Sequence, residues 1–244
     1  MTTTSSASRK LVTGVLFVTM VCAFGARGVL RAADDTEERE RVQDAAQVLR
    51  ELARADDAEA IPEELFERAQ AIAVVPGVVR GAFVLGGRWG KGVVVSRNAA
   101  GEWGPASFLE LSGASVGFQI GGDRTDLVMV FVNEDGLDAL LESRVELGAD
   151  ASVAAGPVGR SGEIGTDASL DAEIFAYSRS KGAFAGAALD GTVISIDDSA
   201  NEDAFGRRID GDDALSGSVP APAVFEPFIT VVRSVTSGEA PTAE

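Results

Sequence analysis

The chain has 244 residues, of which 45% are hydrophobic, so it can bury the core of one ordinary domain and is not a disordered polymer. It has no histidine, which excludes Ser-His-Asp and Cys-His catalysis and every histidine-ligated metal, and its single cysteine is Cys22. A net charge of −17 makes it a poor partner for nucleic acid and disfavours simple electrostatic docking onto anionic lipid.

The first 33 residues contain no acid, whereas Arg9, Lys10, Arg27 and Arg31 all fall there. Arg9-Lys10 is followed by an apolar run over 11–24, shorter than the about 20 residues a spanning helix needs. With small residues at Ala23, Gly25, Ala26 and Gly28, this pattern predicts a signal peptide over 1–28, cut after Gly25 or Gly28. The chain is then exported to the periplasm or the exterior, and the remainder is more acidic still. Cys22 offers a lipoprotein alternative, although Val21 is bulky where a lipoprotein signal carries a small residue. An uncleaved anchor is the third possibility, with Arg27 and Arg31 interrupting any extension of the run.

Residues 34–58 predict an N-terminal amphipathic helix, because Val42, Ala45, Ala46, Leu49, Leu52 and Ala53 recur at helical spacing. Asp35 and Glu38 approximate a capping box. The polar face mixes Glu and Asp with Arg, which suits a helix packed on the domain rather than the basic helix of an anionic membrane surface. The main domain is expected over 60–235. Pro62 starts a second helix running to Gln70, with Glu63 and Glu64 at its positive end.

Between Ala71 and Gly122, Val, Phe and Leu alternate with single glycines, and turn signals fall every eight to twelve residues or so. Glycine inside a strand costs roughly 0.5–1 kcal/mol relative to alanine, so its repetition implies bulges or close backbone approach. Strands are predicted over 71–75, 81–86, 92–97, 106–111, 115–121 and 126–132, with a hairpin turn at Asn98 to Gly101. A helix follows over 134–144, with Leu137, Leu140 and Leu141 on one face. Residues 148–166 are rich in small side chains and read as extended or looped. A second β group is predicted over 172–178, 183–189 and 192–196, with a tight turn at Asp190-Gly191 between the last two. Short helices are expected over 200–207 and 212–215. A final helix over 224–235 carries Phe225, Phe228, Val231 and Val232 on one stripe and caps the core. The tail, 236–244, reads as disordered. The fold class is α+β: glycine-rich antiparallel β-sheets covered by N-terminal, central and C-terminal helices.

Several short motifs stand in order along this stretch. They are Ile61-Pro62, Ala71-Ile72-Ala73 with Pro76, Gly90-Lys91-Gly92, Glu102-Trp103-Gly104-Pro105 and Gly117-Phe118-Gln119-Ile120-Gly121. Gly156-Pro157-Val158-Gly159-Arg160 and Tyr177-Ser178-Arg179-Ser180-Lys181-Gly182-Ala183-Phe184-Ala185-Gly186 follow. Together they resemble the SYLF domain over roughly residues 60–216. The resemblance implies a lipid-binding module, with phosphoinositides as the eukaryotic ligand and actin as a further eukaryotic partner. An exported chain meets neither cytosolic phosphoinositide nor actin, so the actin role transfers badly.

Candidate chemistry is sparse. Gly86 to Gly92 looks like a phosphate loop, but its first glycine is one residue too close and Gly92 stands where Mg²⁺ needs Ser or Thr. The acidic clusters at Glu134-Asp135, Asp197-Asp198, Glu202-Asp203 and Asp210 to Asp213 lack the calcium-loop pattern and read as solvated turns and helix ends. Ser178 or Ser180 with Lys181 could form a Ser-Lys pair only if that lysine were buried. No catalytic residue, metal ligand or cofactor is assigned.

Lys91 and Lys181 are the only lysines beyond the leader, and each precedes a glycine at the start of a predicted strand. Backbone N–H groups beside such glycines, with Lys91, Lys181, Arg80 and Arg160, could hold a phosphate headgroup. The alternative is that the lysines guard strand edges. Trp89, at a glycine-rich tip, is expected to be exposed and near a ligand, whereas Trp103 is expected to pack structurally after the hairpin. The leading expectation is a non-enzymatic binder of phospholipid or another amphiphile in the cell envelope. The alternative is an interaction protein that self-associates or binds a protein partner through its glycine-rich sheet.

Overall fold

The computed structural model describes residues 36–53, 60–82, 86–115, 123–142, 144–157, 172–180, 183–187 and 189–238. The leader, nearly all of the strand expected over 115–121, Arg160, Lys181 and the last residues of the tail lie outside the described residues.

Residues 36–53 form helix α1. Its buried stripe is Val42, Ala45, Ala46, Val48, Leu49 and Leu52, as the spacing required. Fully burying each of the larger side chains is worth about 1.5–3 kcal/mol. Helix α2, Glu63–Arg68, follows Pro62 and buries Leu65 and Phe66. Acids in its first turn and Arg68 in its last complement the helix dipole.

The strands are β1 Ala71–Ala82, β2 Gly86–Arg97, β3 Trp103–Ser115, β4 Asp123–Phe131, β5 Arg144–Glu146, β6 Val153–Ala155, β7 Ile174–Ser180, β8 Ala183–Gly186 and β9 Thr192–Ile196. They form one sheet in the order β5-β9-β3-β2-β1-β4-β7-β6, with β8 beside β7. The expected α+β class holds, but the sheets are one, and it is mixed because β6 pairs parallel to β7. A flat sheet of this order would separate its outer strands by about 34 Å, at about 4.8 Å per spacing. Yet β5 and β6 are consecutive in the chain, and the link from Glu146 to Val153 can reach only about 25 Å. A bridge between Leu147 and Ala151 tightens that link further. The sheet therefore curls.

Both faces are buried. Ile72, Val74, Val93, Val95, Phe108, Val128, Val130 and Phe175 join α1, α2 and the C-terminal helix in one core. Ala71, Ala73, Val75, Leu109, Leu111, Leu127, Met129, Ile174 and Ile194 form a second core on the other face. Helix α3, Glu134–Leu141, contributes Leu140 to this second core, and α5, Gly211–Leu215, contributes Leu215. Helix α4 spans Asp198–Phe205. A 3-10 turn, Ala223–Phe225, leads into α6, Glu226–Thr236, whose Phe228, Ile229, Val231 and Val232 are buried. Phe225 meets Phe108 with ring centroids 4.6 Å apart, a favourable tilted contact.

Three expectations need correction. The strand predicted over 71–75 does not end there: β1 runs on through Pro76-Gly77 to Ala82, with a bulge between Val75 and Val78, so it takes in the start of the strand predicted over 81–86, whereas Gly86 already belongs to β2. Gly77 takes φ +57°, and its N–H donates to Asp126 Oδ1 at 2.8 Å. The helix expected over 134–144 stops at Leu141, and Arg144 opens β5 instead. Asp190-Gly191 does turn, with φ +70° at Gly191, but the strands it joins do not pair with each other. β8 lies on β7, and β9 lies between β3 and β5.

Candidate functional site

The β1 bulge shapes one end of the sheet. Before it, the odd positions Ala73 and Val75 face the second core; after it, Val78 does. Gly90 and Gly92 of β2 lie under this irregularity. A Cβ on Gly92 would sit 2.3 Å from the Val74 carbonyl oxygen, and one on Gly90 would sit 2.7 Å from a Val75 methyl. The Gly90-Lys91-Gly92 motif thus places its glycines against β1. Trp89 and Lys91, at the alternate positions, continue the row of Val93 and Val95 towards α1. Glu110 stands opposite Lys91 in β3, and Ser112 stands opposite Trp89.

Where this row runs past the start of α1 it opens into a cleft of about 520 Å³. Helix α1 supplies Glu37, Glu40, Arg41 and Asp44. The bulged strand supplies Pro76, Gly77 and Val79, and the hairpin of β2 and β3 supplies Trp89, Lys91, Glu110, Leu111 and Ser112. Trp89 is 53% exposed.

The charges are layered. Arg41 Nη1 donates to Asp197 Oδ2 at 3.0 Å, and both side chains are buried. The Arg41 guanidinium also lies 4.9 Å from the centre of the Phe108 ring. Asp197 Oδ1 accepts from the Ala200 N–H and caps α4. Lys91 Nζ lies 3.6 Å from Asp197, 3.9 Å from Glu37 and 3.9 Å from Glu110. Lys91 is half-exposed, so each of those pairs is weak, whereas breaking the buried Arg41–Asp197 pair would strand a charge.

Of the residues singled out in the sequence, Lys91 and Trp89 come together in this cleft. Arg80 pairs with Arg88 and Asp123 through the β1 backbone, and its side chain lies outside the described residues. Trp103 is buried, as expected, with the Arg97 guanidinium 4.5 Å from its ring centre. Its carbonyl accepts from Arg233 Nε and Nη2. Partial burial lowers the Arg97 pKa from its ordinary value. Asp197 is not the solvated acid expected of the Asp197-Asp198 cluster: it is buried, because Arg41 and the α4 N-terminus both need it.

Glu37, Glu40, Arg41, Asp44 and Glu110 were missed. The one available signal was Arg41 itself, which sits one turn from Ala45 on the apolar stripe of α1. Two other motifs turn out to be structural. Tyr177 is buried, and its hydroxyl donates to the Pro157 carbonyl at 3.1 Å. A Cβ on Gly156 would strike the Tyr177 ring, so the Gly156 segment and the Tyr177 segment interlock. Burial pushes the Tyr177 phenol pKa up.

Among the described residues no helix is long and apolar enough to cross a membrane. A curled mixed sheet flanked by helices, with a charged cleft at one end, defines an α+β domain. Residues 112–235 match the family described as Ysc84, Las17-binding protein actin regulator, which is the SYLF resemblance, and the chain belongs to it. It is 34% identical over 177 residues to LAS seventeen-binding protein 3 of Saccharomyces cerevisiae (strain ATCC 204508 / S288c), covering 71% of this chain and 38% of that protein. It is 30% identical over 197 residues to the human SH3 domain-containing YSC84-like protein 1, covering 79% of this chain and 57% of that protein. The chain spans less than two thirds of these curated relatives.

Proposed function

We propose that this chain is a non-enzymatic lipid-binding protein of the cell envelope, which takes a phospholipid or another amphiphile into the cleft beside Trp89. The observation that carries this reading is Trp89 itself, a large apolar side chain left 53% exposed in an open cleft. A ring with an apolar body and a polar N–H suits the boundary between water and an acyl chain. Pro76 and Val79 extend the apolar wall beside it. The basic, apolar and small leader supports placement in the envelope. The intact mass of the native protein checks that placement: loss of the leader with Cys22 agrees, and retention of Met1 opposes it.

A second reading is a protein-binding domain. It is favoured by the relative whose name states that it binds LAS seventeen.

Lipid extraction and mass spectrometry of the purified protein test the first reading, together with tryptophan emission during vesicle titration. A bound lipid and an emission change that is lost in Trp89→Phe but kept in Trp103→Phe are expected. The opposite pattern would reverse the assignment, and the absence of any vesicle response would leave the protein-binding reading in first place.

A further inference from the structure

We infer that the cleft selects an amphiphile whose headgroup carries an ammonium cation, in preference to an anionic headgroup. This rests on the lipid-binding reading and names the ligand class of the same site.

Two separate observations lead there. The first is charge. Four carboxylates, those of Glu37, Glu40, Asp44 and Glu110, line the cleft, against Arg41 and Lys91. Arg41 is already engaged, by buried Asp197 at 3.0 Å and by Glu37 at 3.7 Å. Lys91 already stands within 4 Å of Glu37, Glu110 and Asp197. An incoming phosphate would have to displace those carboxylates and then face them at short range. The whole molecule, with net charge −17, adds to that repulsion. The second observation is Trp89, the best side chain for an ammonium ion to stack on, exposed on the wall of the same cleft. Acids that neutralise a cation and an indole that stacks on it, beside an apolar wall, match an ammonium group joined to an acyl chain.

Vesicles of three compositions separate the possibilities: phosphatidylcholine alone, phosphatidylcholine with phosphatidylglycerol, and phosphatidylcholine with a trimethylammonium lipid. The full chain should bind the trimethylammonium vesicles at least about fivefold more tightly than the phosphatidylglycerol vesicles, with a blue shift that Trp89→Phe removes. Because any cation is drawn to so acidic a protein, the comparison of variants decides. Glu37→Gln with Glu110→Gln should abolish the preference, whereas the equal charge change Glu134→Gln with Asp135→Asn, on exposed residues of α3, should preserve it. Lys91→Gln should tighten binding to the trimethylammonium vesicles.

Tightest binding to phosphatidylglycerol, weakened by Lys91→Gln, would overturn the inference and leave the lipid reading standing. Equal losses from the cleft pair and the α3 pair would also overturn it, as non-specific attraction. If no vesicle binds but a lysine-bearing apolar peptide does, the occupant is a protein segment, and both the inference and the lipid reading fall.

Discussion

Gly92 has no room for a side chain. Its Cβ would lie 2.3 Å from the Val74 carbonyl oxygen, which is backbone and cannot rotate away. Gly92→Ala should therefore destabilise the fold by about 1–3 kcal/mol, the usual cost of overpacking. Urea unfolding measures it, and Gly101→Ser makes a useful contrast. Gly101 has a positive φ but no atom within 4 Å of its Cβ, so only backbone strain opposes that change. Tyr177 offers a cleaner test, because it is the only tyrosine in the chain. Its phenol is held above its ordinary value by burial, so the folded state keeps a proton that the unfolded state releases. Stability from this group is fully present below pH 10 and is lost as pH rises past the ordinary phenol value of about 10. Absorbance at about 295 nm should show no phenolate until the protein unfolds. Tyr177→Phe should flatten the alkaline slope while costing about 0.5–1.5 kcal/mol at neutral pH for the lost bond to Pro157. A phenolate signal near pH 10 in folded protein would contradict this.

At the scale of elements, ion pairs pin α1 across the sheet, and two of them contrast. Arg41 reaches Asp197 beside β9, and Glu51 pairs with Arg179 of β7, which also approaches Asp126 of β4. The two pins differ in burial: Arg41 and Asp197 are almost inaccessible, whereas Glu51 and Arg179 are partly exposed. Asp197→Ala should thus cost about 3–5 kcal/mol, since it leaves the Arg41 charge buried and α4 uncapped. Asp198→Ala, the exposed neighbour in the first turn of α4, should cost no more than about 1 kcal/mol. Equal effects from the two would show that the burial of the pair does not matter. This contrast also marks what could be read in the chain. The stripes of α1 and α6 were legible because one face of each is polar. Strands β1 and β4 were placed only approximately, because both of their faces are buried and a continuous apolar run carries no alternation. Pro76-Gly77 reads as a turn in isolation, and only the Asp126 carboxylate, 49 residues away, shows that it is a bulge in a continuing strand. The three-residue strand β5 has no local pattern at all and exists through its pairing with β9.

At the scale of the molecule, the cleft was half legible. Lys91 and Trp89 stood out because lysine and tryptophan are rare in this chain. The carboxylates around them did not, because Glu37, Glu110 and Asp197 are scattered among 38 acids and only the curled sheet gathers them. That excess of acid has a global consequence. A net charge of −17 is self-repelling, and the repulsion is long-ranged at low salt. The described ion pairs act the other way, but most are partly exposed and worth little individually. Between 0.01 M and 0.15 M salt the screening length falls from about 30 Å to about 8 Å, which removes most repulsion across the body while sparing contacts at 3–4 Å. Repulsion summed over the whole surface should therefore dominate, and the melting temperature should rise as sodium chloride is raised over this interval. Calorimetry of the protein would show it. The double variant Glu142→Gln with Glu146→Gln, which removes two exposed charges that take part in no described ion pair, one of them at the C-terminus of α3, should melt higher at 0.01 M and gain less from salt. A melting temperature that falls with salt would mean instead that the pins of α1 and the ring of acids around Lys91 outweigh the net charge in holding the fold.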